Sequence, residues 1–429
     1  MKSVRTIGLL AAILININVI VGSGIFINLH PFMSQLGTGS FVVYLVAALF
    51  LLPVVAVLAL LARQQPESGG LYVYAKTYLH PAVGFLCGWS YFVGKAISVG
   101  LMANLLMLVV ESVFPSLLVV PHIALVAGLL LFLASANIIG ASLQGRVQWL
   151  FIAAKVIPVV SILGLLAWKG GQVPLSFAQV STDSLVAVVP IAVFAMVGFE
   201  VTCTIAHLFV RPEYTIVRAF VIGFLTVATL LSLFQGAVSL LMPASALSLG
   251  LPAAQLASIA EAYVPSVSWL MTLCVYLSIL GGTFGILTSN CWNLHRLAAQ
   301  GHVPGAKWLT KVTAGQVPWV SLLVEVCVCV AGVAISTQQL PLQKMSVLGV
   351  IFAFFCAMLA AFFARNAAGV RLVHPLIVCA ALCSTLGLFG ITLYHIFLYG
   401  ISVPYLVLFG GGIMVGLGYE QWRDKKVLG

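Results

Sequence analysis

A Gly-Ser-Gly tripeptide interrupts the first apolar segment of the chain, at Gly22, Ser23 and Gly24. Glycine is unfavourable inside a helix, because it loses the most backbone entropy on folding and leaves its peptide groups uncovered. If the helix unwinds here, Ser23 and Gly24 begin a new half-helix whose N–H groups attract an anion. The carbonyls that end the preceding half-helix, near Ile20, attract a cation. One break can therefore hold both ends of an α-amino acid; a close helix contact through small residues is the alternative.

A second interruption lies in a later apolar segment, at Val197-Gly198-Phe199-Glu200. A carboxylate in the middle of an apolar helix is costly, which makes Glu200 a candidate proton carrier or sensor. The alternative is a structural carboxylate that accepts the N–H groups freed by the break, and the two roles are not exclusive. His207, two turns further on, is a candidate proton partner. The other histidines show no metal-ligand spacing.

The composition is that of a membrane protein. The chain has 429 residues, of which 62% are hydrophobic and 7% charged, and its mean hydropathy is +1.18, whereas soluble domains are about 25% charged. Apolar stretches of about 20 residues recur along it, each long enough to cross a bilayer core of about 30 Å. The sequence predicts an all-α polytopic membrane protein with twelve spans, near residues 6–33, 40–62, 82–112, 122–141, 147–168, 184–209, 215–242, 263–292, 318–337, 345–364, 374–397 and 402–418.

The basic residues predict the orientation. With an inside N-terminus, 15 of the 19 lysines and arginines lie in seven short inside segments, so both termini are predicted to be cytoplasmic. The net charge of +10 is then explained by the basic residues of the cytoplasmic segments. We expect these residues to contact the anionic lipids of the inner leaflet rather than nucleic acid. The nine cysteines are scattered in apolar segments and predict neither disulfides nor a metal site. We expect no cofactor.

The two interruptions fall in spans one and six, with five spans separating equivalent positions. An odd number of spans inverts the second unit relative to the first, and paired interruptions in two such halves indicate a transport site at the membrane midplane. Two other charged residues lie in apolar helices. Glu325, two turns into span nine, is expected to be structural and to reach the inner interface, and Glu111, at the outer end of span three, is expected to be solvated.

Several stretches together resemble the amino acid–polyamine–organocation (APC) transporters, and they cover residues 6 to about 320. Their order along the chain is that of the family: Gly22-Ser-Gly-Ile-Phe26, Glu67-Ser-Gly-Gly-Leu-Tyr-Val-Tyr74, Gly84-Phe-Leu-Cys-Gly-Trp89, Gly198-Phe-Glu200 with Arg211-Pro212, Arg296-Leu-Ala-Ala-Gln-Gly-His-Val-Pro304 and Val317-Pro318. The loop after span six departs from the family pattern, since His207-Leu-Phe-Val precedes Arg211-Pro212.

The resemblance implies one transporter domain over residues 1–429, with a five-plus-five inverted repeat in which helices one and six are broken. The first repeat covers about 6–168 and the second about 184–364, and the extra helices cover about 374–418. In the implied substrate site, the N–H groups of Ser23 and Gly24 hold the carboxylate, and the carbonyls of Ile20, Phe194 and Val197 hold the ammonium. Gly22 and Gly198 open the backbone, and Phe194 also occupies the place of a gating aromatic.

Two lysines bear on coupling and specificity. Lys155 follows Arg146 by nine residues, so it lies about 13 Å deeper along a regular helix. By the resemblance it takes the place of a sodium ion, either as a fixed ammonium bonded to the helix-one carbonyls or as a proton acceptor. Lys95 lies in the cavity-lining helix three, where it would repel cationic substrates; a lysine facing a vestibule, or paired elsewhere, is the alternative.

The sequence therefore predicts a secondary active transporter, not an enzyme, that carries an amino acid by alternating access. We expect sodium-independent proton coupling or exchange, neutral or acidic substrates, and a place in the plasma membrane (the inner membrane of a bacterium) as a monomer or homodimer. A basic amino acid or polyamine antiporter is the alternative. A channel is less favoured, since no repeated filter or charged ring is visible, and so is an enzyme, since no catalytic motif is.

Overall fold

The computed structural model describes residues 7–65, 70–139, 141–205, 209–243, 252–313, 315, 317–364, 374–398, 400 and 402–428. Within them the chain is helical, and β-type pairing there is confined to an isolated bridge between Ile7 and Phe209. The helices are α1 (Leu9–Ile20), α2 (Gly24–Ile27), α3 (Leu29–Leu36), α4 (Val42–Gln64), α5 (Leu71–Tyr78), α6 (Pro81–Val113), α7 (His122–Ile139), α8 (Ala141–Lys169), α9 (Thr182–Met196), α10 (Val201–Ile205), α11 (Pro212–Leu241), α12 (Pro252–Tyr263), α13 (Ser268–Ala299), α14 (Ala306–Leu309), α15 (Trp319–Ile335), α16 (Gln339–Ala364), α17 (Pro375–Leu398) and α18 (Ser402–Leu428).

In the described part, eight helices are long and apolar enough to cross a membrane, or nine if the bent pair Leu9–Ile20 and Gly24–Gly39 forms one span. Three apolar helices of 10–17 residues lie where spans four, nine and twelve are predicted: His122–Ile138, Trp319–Ile335 and Val403–Tyr419. The chain is thus a multi-pass helical membrane protein. The count of twelve spans and the inverted repeat stay predictions.

The chain divides into two compact units, each assembled from three separate segments. The first unit comprises Met1–Gly70, Trp149–Ile279 and Ala364–Gly387. In it, α11 packs against α1 and α4, and α4 also packs against α9. A glycine makes the first of these contacts close, since a Cβ on Gly223 would lie 2.7 Å from Nδ2 of Asn16. Asn16 is fully buried and donates from that nitrogen to the Ala219 carbonyl at 3.0 Å, so α1 is both packed and hydrogen-bonded to α11.

The second unit comprises Leu71–Gln148, Leu280–Phe363 and Leu388–Gly429. Its central element is α6, which packs against α5, α7, α15 and α18. Small residues also bring α6 against α16, because a Cβ on Gly94 would lie 2.7 Å from the Ser346 carbonyl oxygen and one on Gly349 would lie 2.6 Å from that of Ser90. These two helices therefore cross with their backbones in contact, as small residues permit in membranes.

One end of the second unit carries a buried ion pair. Nδ1 of His122 lies 2.9 Å from both carboxylate oxygens of Glu111, and its Nε2 lies 2.8 Å from Oδ1 of Asn104. The Asn104 amide is oriented by its Nδ2, which donates to the Thr337 carbonyl at 2.9 Å. Both ring nitrogens of His122 thus face side-chain oxygens. Glu111 is 8% exposed, so the expectation that it is solvated is wrong: it is paired across the α6–α7 turn.

Three of the family-like sequence stretches meet at another place in this unit. The Tyr72 hydroxyl lies 2.6 Å from Nε2 of His302, and the Phe85 ring stacks on the His302 ring at 5.7 Å. The side chain of Lys76 donates to Oε1 of Gln300 at 2.7 Å. The segment around α5 is therefore tied to the loop that follows α13.

Candidate functional site

The first break lies between α1 and α2, and the helices on its two sides are bent by 41°. The N–H of Val21 makes the last helical bond of α1, to the Ile17 carbonyl at 2.8 Å. The next helical bonds are those of Phe26 and Ile27, which both donate to the Ser23 carbonyl at 3.0 and 3.2 Å. The helical bonds of α1 therefore end at the Ile17 carbonyl, and those of α2 begin with the N–H of Phe26. The last carbonyls of α1 and the N–H of Gly24 lie between these two sets of helical bonds.

The second break lies between α9 and α10. The N–H of Val197 donates to the Val193 carbonyl at 3.0 Å, after which Val197 is extended and Gly198 takes a φ of +149°, which favours glycine. The Gly198 N–H donates to Oε2 of Glu200 at 2.8 Å. A continuing helix would have directed that N–H to the carbonyl of Phe194, which is thereby left without this donor.

Glu200 is 2% exposed and belongs to the break itself. Its carboxylate accepts the Gly198 N–H, so it performs the structural role that the sequence offered as one of two possibilities. Hydrogen bonds to a charged acceptor are stronger than those between neutral groups. The turn of the chain at Gly198 is therefore held by the neighbouring acid, and a further role of Glu200 in carrying protons stays a prediction.

The two breaks pack directly against each other. A Cβ on Gly198 would lie 3.0 Å from the Val19 carbonyl oxygen and 3.2 Å from the Cα of Ile20. In the opposite direction, a Cβ on Gly24 would lie 2.7 Å from the Cα of Ala195. Each break thus uses a glycine to admit the backbone of the other. Backbone groups of both polarities are brought to one place as a result.

Gly22 differs from these two glycines. A Cβ there would have a single neighbour within 4 Å, the Ile20 carbonyl oxygen at 3.8 Å. Space beside the unwound backbone therefore remains at Gly22. At Gly24 and Gly198 the corresponding space is occupied by the backbone of the facing helix. The predicted residues Ile20, Gly22, Ser23, Gly24, Phe194, Val197, Gly198 and Glu200 all belong to these two adjoining breaks.

Lys155 on α8 is 8% exposed and points to the end of α1. Its Nζ lies 3.4 Å from the carbonyl oxygen of Asn18 and 3.5 Å from Oδ1 of the same residue. The Asn18 carbonyl is the first after that of Ile17, so the ammonium takes the place of the missing helical donor. Asn16 and Asn18 are two residues apart and so lie on different faces of α1, and the sequence does not say which of them faces the bundle. The structure directs Asn18 to Lys155 and Asn16 to α11.

Asn28 is a site residue that sequence reasoning missed. It is fully buried at the junction of α2 and α3, and its Nδ2 donates to the Ile191 carbonyl of α9 at 2.8 Å. This bond fixes the half-helix after the first break to the helix before the second. The available signal was an amide one turn after Gly24 in an otherwise apolar stretch.

The two remaining predicted site residues are Lys95 and His207. Lys95 belongs to the second unit, where its Nζ stands 5.4 Å from the centre of the Tyr91 ring and its carbonyl accepts the Ser98 hydroxyl at 2.7 Å. Its part in substrate selection stays a prediction. His207 lies outside the described residues.

Comparison with known proteins gives one family. The model of the amino acid permease family matches residues 11–406. The chain is 27% identical over 375 residues to the serine/threonine exchanger SteT of Bacillus subtilis (strain 168), which covers 85% of this chain and 84% of that protein. It is 23% identical over 327 residues to the gamma-aminobutyric acid permease of Escherichia coli (strain K12), covering 71% and 68%. An uncharacterised transporter of Mycobacterium bovis is 26% identical over 318 residues, covering 72% and 68%.

Proposed function

Because the chain belongs to the amino acid permease family, we propose that it is a secondary active transporter that carries an amino acid by alternating access and binds it at the two helix breaks. The observation that carries this proposal is the direct packing of one break on the other, through Gly24 and Gly198. Paired broken helices with free half-helix ends form substrate sites in secondary transporters. A channel or an enzyme has no need of this arrangement.

In the proposed complex the substrate is held by backbone groups. Its carboxylate accepts from the N–H groups of Ser23 and Gly24, where the positive end of the half-helix dipole favours an anion. Its ammonium donates to the carbonyls of Ile20, Phe194 and Val197. The contact of Gly198 with Glu200 supports this assignment, because it diverts the N–H that would otherwise occupy the Phe194 carbonyl.

We further propose that transport does not depend on sodium. The Lys155 ammonium already lies against the Asn18 carbonyl, so a positive charge is supplied there by the protein. Two modes of coupling are compatible with this arrangement. Lys155 can stay charged throughout an exchange cycle, or it can release and take up a proton with each cycle, with Glu200 as the second candidate.

The proposed substrate is a neutral or acidic amino acid. Lys95 would repel a cationic side chain if helix three lines the substrate pathway, as the resemblance implies. Two relatives support a neutral substrate by their names, since serine, threonine and gamma-aminobutyric acid all carry no net charge as zwitterions. We place the protein in the plasma membrane with both termini in the cytoplasm, which the distribution of its basic residues supports.

Thermal unfolding of the purified protein with each of the twenty amino acids and common polyamines tests the substrate class. A ligand that binds only the folded protein raises the melting temperature by mass action. We expect a neutral or acidic amino acid to do so, and a rise only with arginine, lysine or a polyamine would establish the alternative antiporter.

Flux in proteoliposomes then tests the transport mechanism with the same ligand. A carrier gives saturable uptake that is accelerated by substrate inside the vesicle and is unchanged when potassium replaces sodium. Ohmic conductance without saturation would show a channel and refute the proposal.

A further inference from the structure

A second buried carboxylic acid lies on α15, in the second unit. Glu325 is fully buried, so the expectation that it reaches the inner interface is wrong. Its Oε1 accepts from Nδ2 of Asn290 on α13 at 2.9 Å. Its Oε2 has no hydrogen-bond partner among the described residues. The two oxygens of one carboxyl group are therefore in different environments.

The Asn290 amide fixes which oxygen can carry a proton. Its Nδ2 has two hydrogens, and it donates to Oε1 of Glu325 and to the Phe92 carbonyl, the latter at 3.1 Å. Its Oδ1 accepts from Nδ2 of Asn293 at 2.9 Å. Because a carbonyl such as that of Phe92 can only accept, the amide cannot be turned around. Oε1 is thus the accepting oxygen of Glu325, and the free position for a proton is on Oε2.

The surroundings of Glu325 give it no positive charge. In the described part of the chain no ion pair includes Glu325. On the helices packed around it, Lys95 stands over the Tyr91 ring, and His122 is paired with Glu111. The other titratable groups that these helices bring to the described part include Cys291, His295 and Arg296 on α13, Cys327 and Cys329 on α15, Lys307 on α14 and Tyr405 on α18. Of these, Arg296 interacts electrostatically with Tyr72.

An uncompensated carboxylate in an apolar interior costs several kcal/mol, so the buried group takes its neutral form. That form needs a hydrogen on Oε2, which is the oxygen the structure leaves for it. Geometry and electrostatics therefore agree on a carboxylic acid that holds a proton inside the protein.

A polar route leads away from this acid along α13. From Glu325 it passes through Asn290, which is 1% exposed, to Asn293, which is half-buried one turn nearer the C-terminal end of the helix. With the predicted orientation that end faces the cytoplasm.

We propose that Glu325 is a proton-binding site of the transporter. In the conformation described, Oε2 carries the proton. When water enters from the Asn293 end and reaches Oε2, the Oε2–H bond breaks, the proton passes to that water, and the carboxylate stays bonded to the Asn290 amide through Oε1. This inference rests on the proposed transport function, and it adds a third candidate coupling group to Lys155 and Glu200.

The test compares the wild type with E325Q, which keeps the size and a donor at the second position but cannot release a proton. The matched control is E213Q, since Glu213 is an exposed acid in the first turn of α11. Infrared difference spectra of the purified proteins should show a buried carboxylic acid band in the wild type and E213Q and not in E325Q. All three should bind the amino acid found in the thermal panel.

Proteoliposomes test the role of that proton in transport. An inward gradient of about one pH unit supports up to about tenfold accumulation at one proton per substrate. We expect accumulation in the wild type and E213Q, and equilibration without accumulation in E325Q, whose exchange of internal for external substrate persists.

The possible outcomes separate the two proposals. Gradient-driven accumulation by E325Q, or an unchanged carboxylic acid band in its spectrum, overturns the role of Glu325. Exchange without any proton-driven accumulation in the wild type also overturns it and leaves the amino acid transporter intact. If the wild type neither binds nor moves an amino acid, the proposed function fails, and the infrared comparison still decides whether Glu325 holds a proton.

Discussion

Alanine at Gly198 should separate the packing of the two breaks from their binding of substrate. Gly198 has a φ of +149°, a region that other residues adopt only at a cost of about 1–3 kcal/mol. Its added Cβ would also lie 3.0 Å from the Val19 carbonyl oxygen and 3.2 Å from the Cα of Ile20, both of them backbone atoms that cannot rotate away. Overpacking of that kind adds about 1–3 kcal/mol. We therefore expect Gly198→Ala to destabilise the protein by about 2–6 kcal/mol.

The matched variant is Gly22→Ala, in the other break. Its Cβ meets a single atom within 4 Å, at 3.8 Å, and its φ is not in the left-handed region. Such a substitution changes stability by less than about 1 kcal/mol and can even stabilise, because alanine restricts the unfolded chain. However, its methyl group occupies the space beside the unwound backbone, so substrate affinity should fall while the melting temperature stays near that of the wild type.

Unfolding of the ligand-free proteins in detergent, followed by substrate titration, measures both effects. If Gly198→Ala is as stable as the wild type, the contact between the breaks is refuted. Wild-type affinity of Gly22→Ala would show that the substrate lies elsewhere. Loss of stability at Gly198 together with loss of affinity at Gly22 is the pattern that the geometry requires.

Three further substitutions test single groups. Glu200→Ala leaves a buried N–H without its acceptor and should cost about 1–3 kcal/mol in thermal unfolding, whereas Glu200→Gln keeps an acceptor and should restore most of that; equal stability of the two would contradict the capping role. Lys155→Ala should impair uptake or its pH dependence, and uptake that then requires sodium would contradict the proposed independence. His122→Ala removes the contacts of the ring with Glu111 and Asn104 and should cost about 1 kcal/mol in thermal unfolding, whereas an unchanged melting temperature would contradict a stabilising role for these contacts.

The positions of the breaks could be predicted from the sequence, but the contact between them could not. Glycine within an apolar segment signals unwound backbone locally, and this places the breaks at 22–24 and 197–200. The close approach of Gly198 to Ile20 cannot be predicted in this way, because it depends on how α1 and α9 pack. Helix periodicity places Asn16 and Asn18 on different faces, yet only the neighbouring helices decide that one bonds α11 and the other Lys155.

The acids outside the breaks show why depth along a helix is a weak guide to environment. Position along the predicted spans suggests an interface for both acids, since Glu111 lies at the end of span three and Glu325 lies two turns from the start of span nine. Their actual environments come from partners on other helices, His122 and Asn290. No pattern within either helix encodes those partners. The signal in the sequence was a polar residue on another span, His122 for Glu111 and Asn290 for Glu325, which a search for polar pairs between spans would have found.

Binding of the substrate at the helix breaks, as proposed, would limit what the site can distinguish. N–H groups at Gly24 and carbonyls at Ile20 and Phe194 complement a carboxylate and an ammonium, and these two groups occur in every α-amino acid. Such contacts supply affinity without choosing a side chain. Gly24 and Gly198, which bring the breaks together, add no side chain that could choose one either. Selectivity must therefore come from residues that face the substrate's side chain, so substitutions there should exchange one amino acid for another while the two breaks remain unchanged.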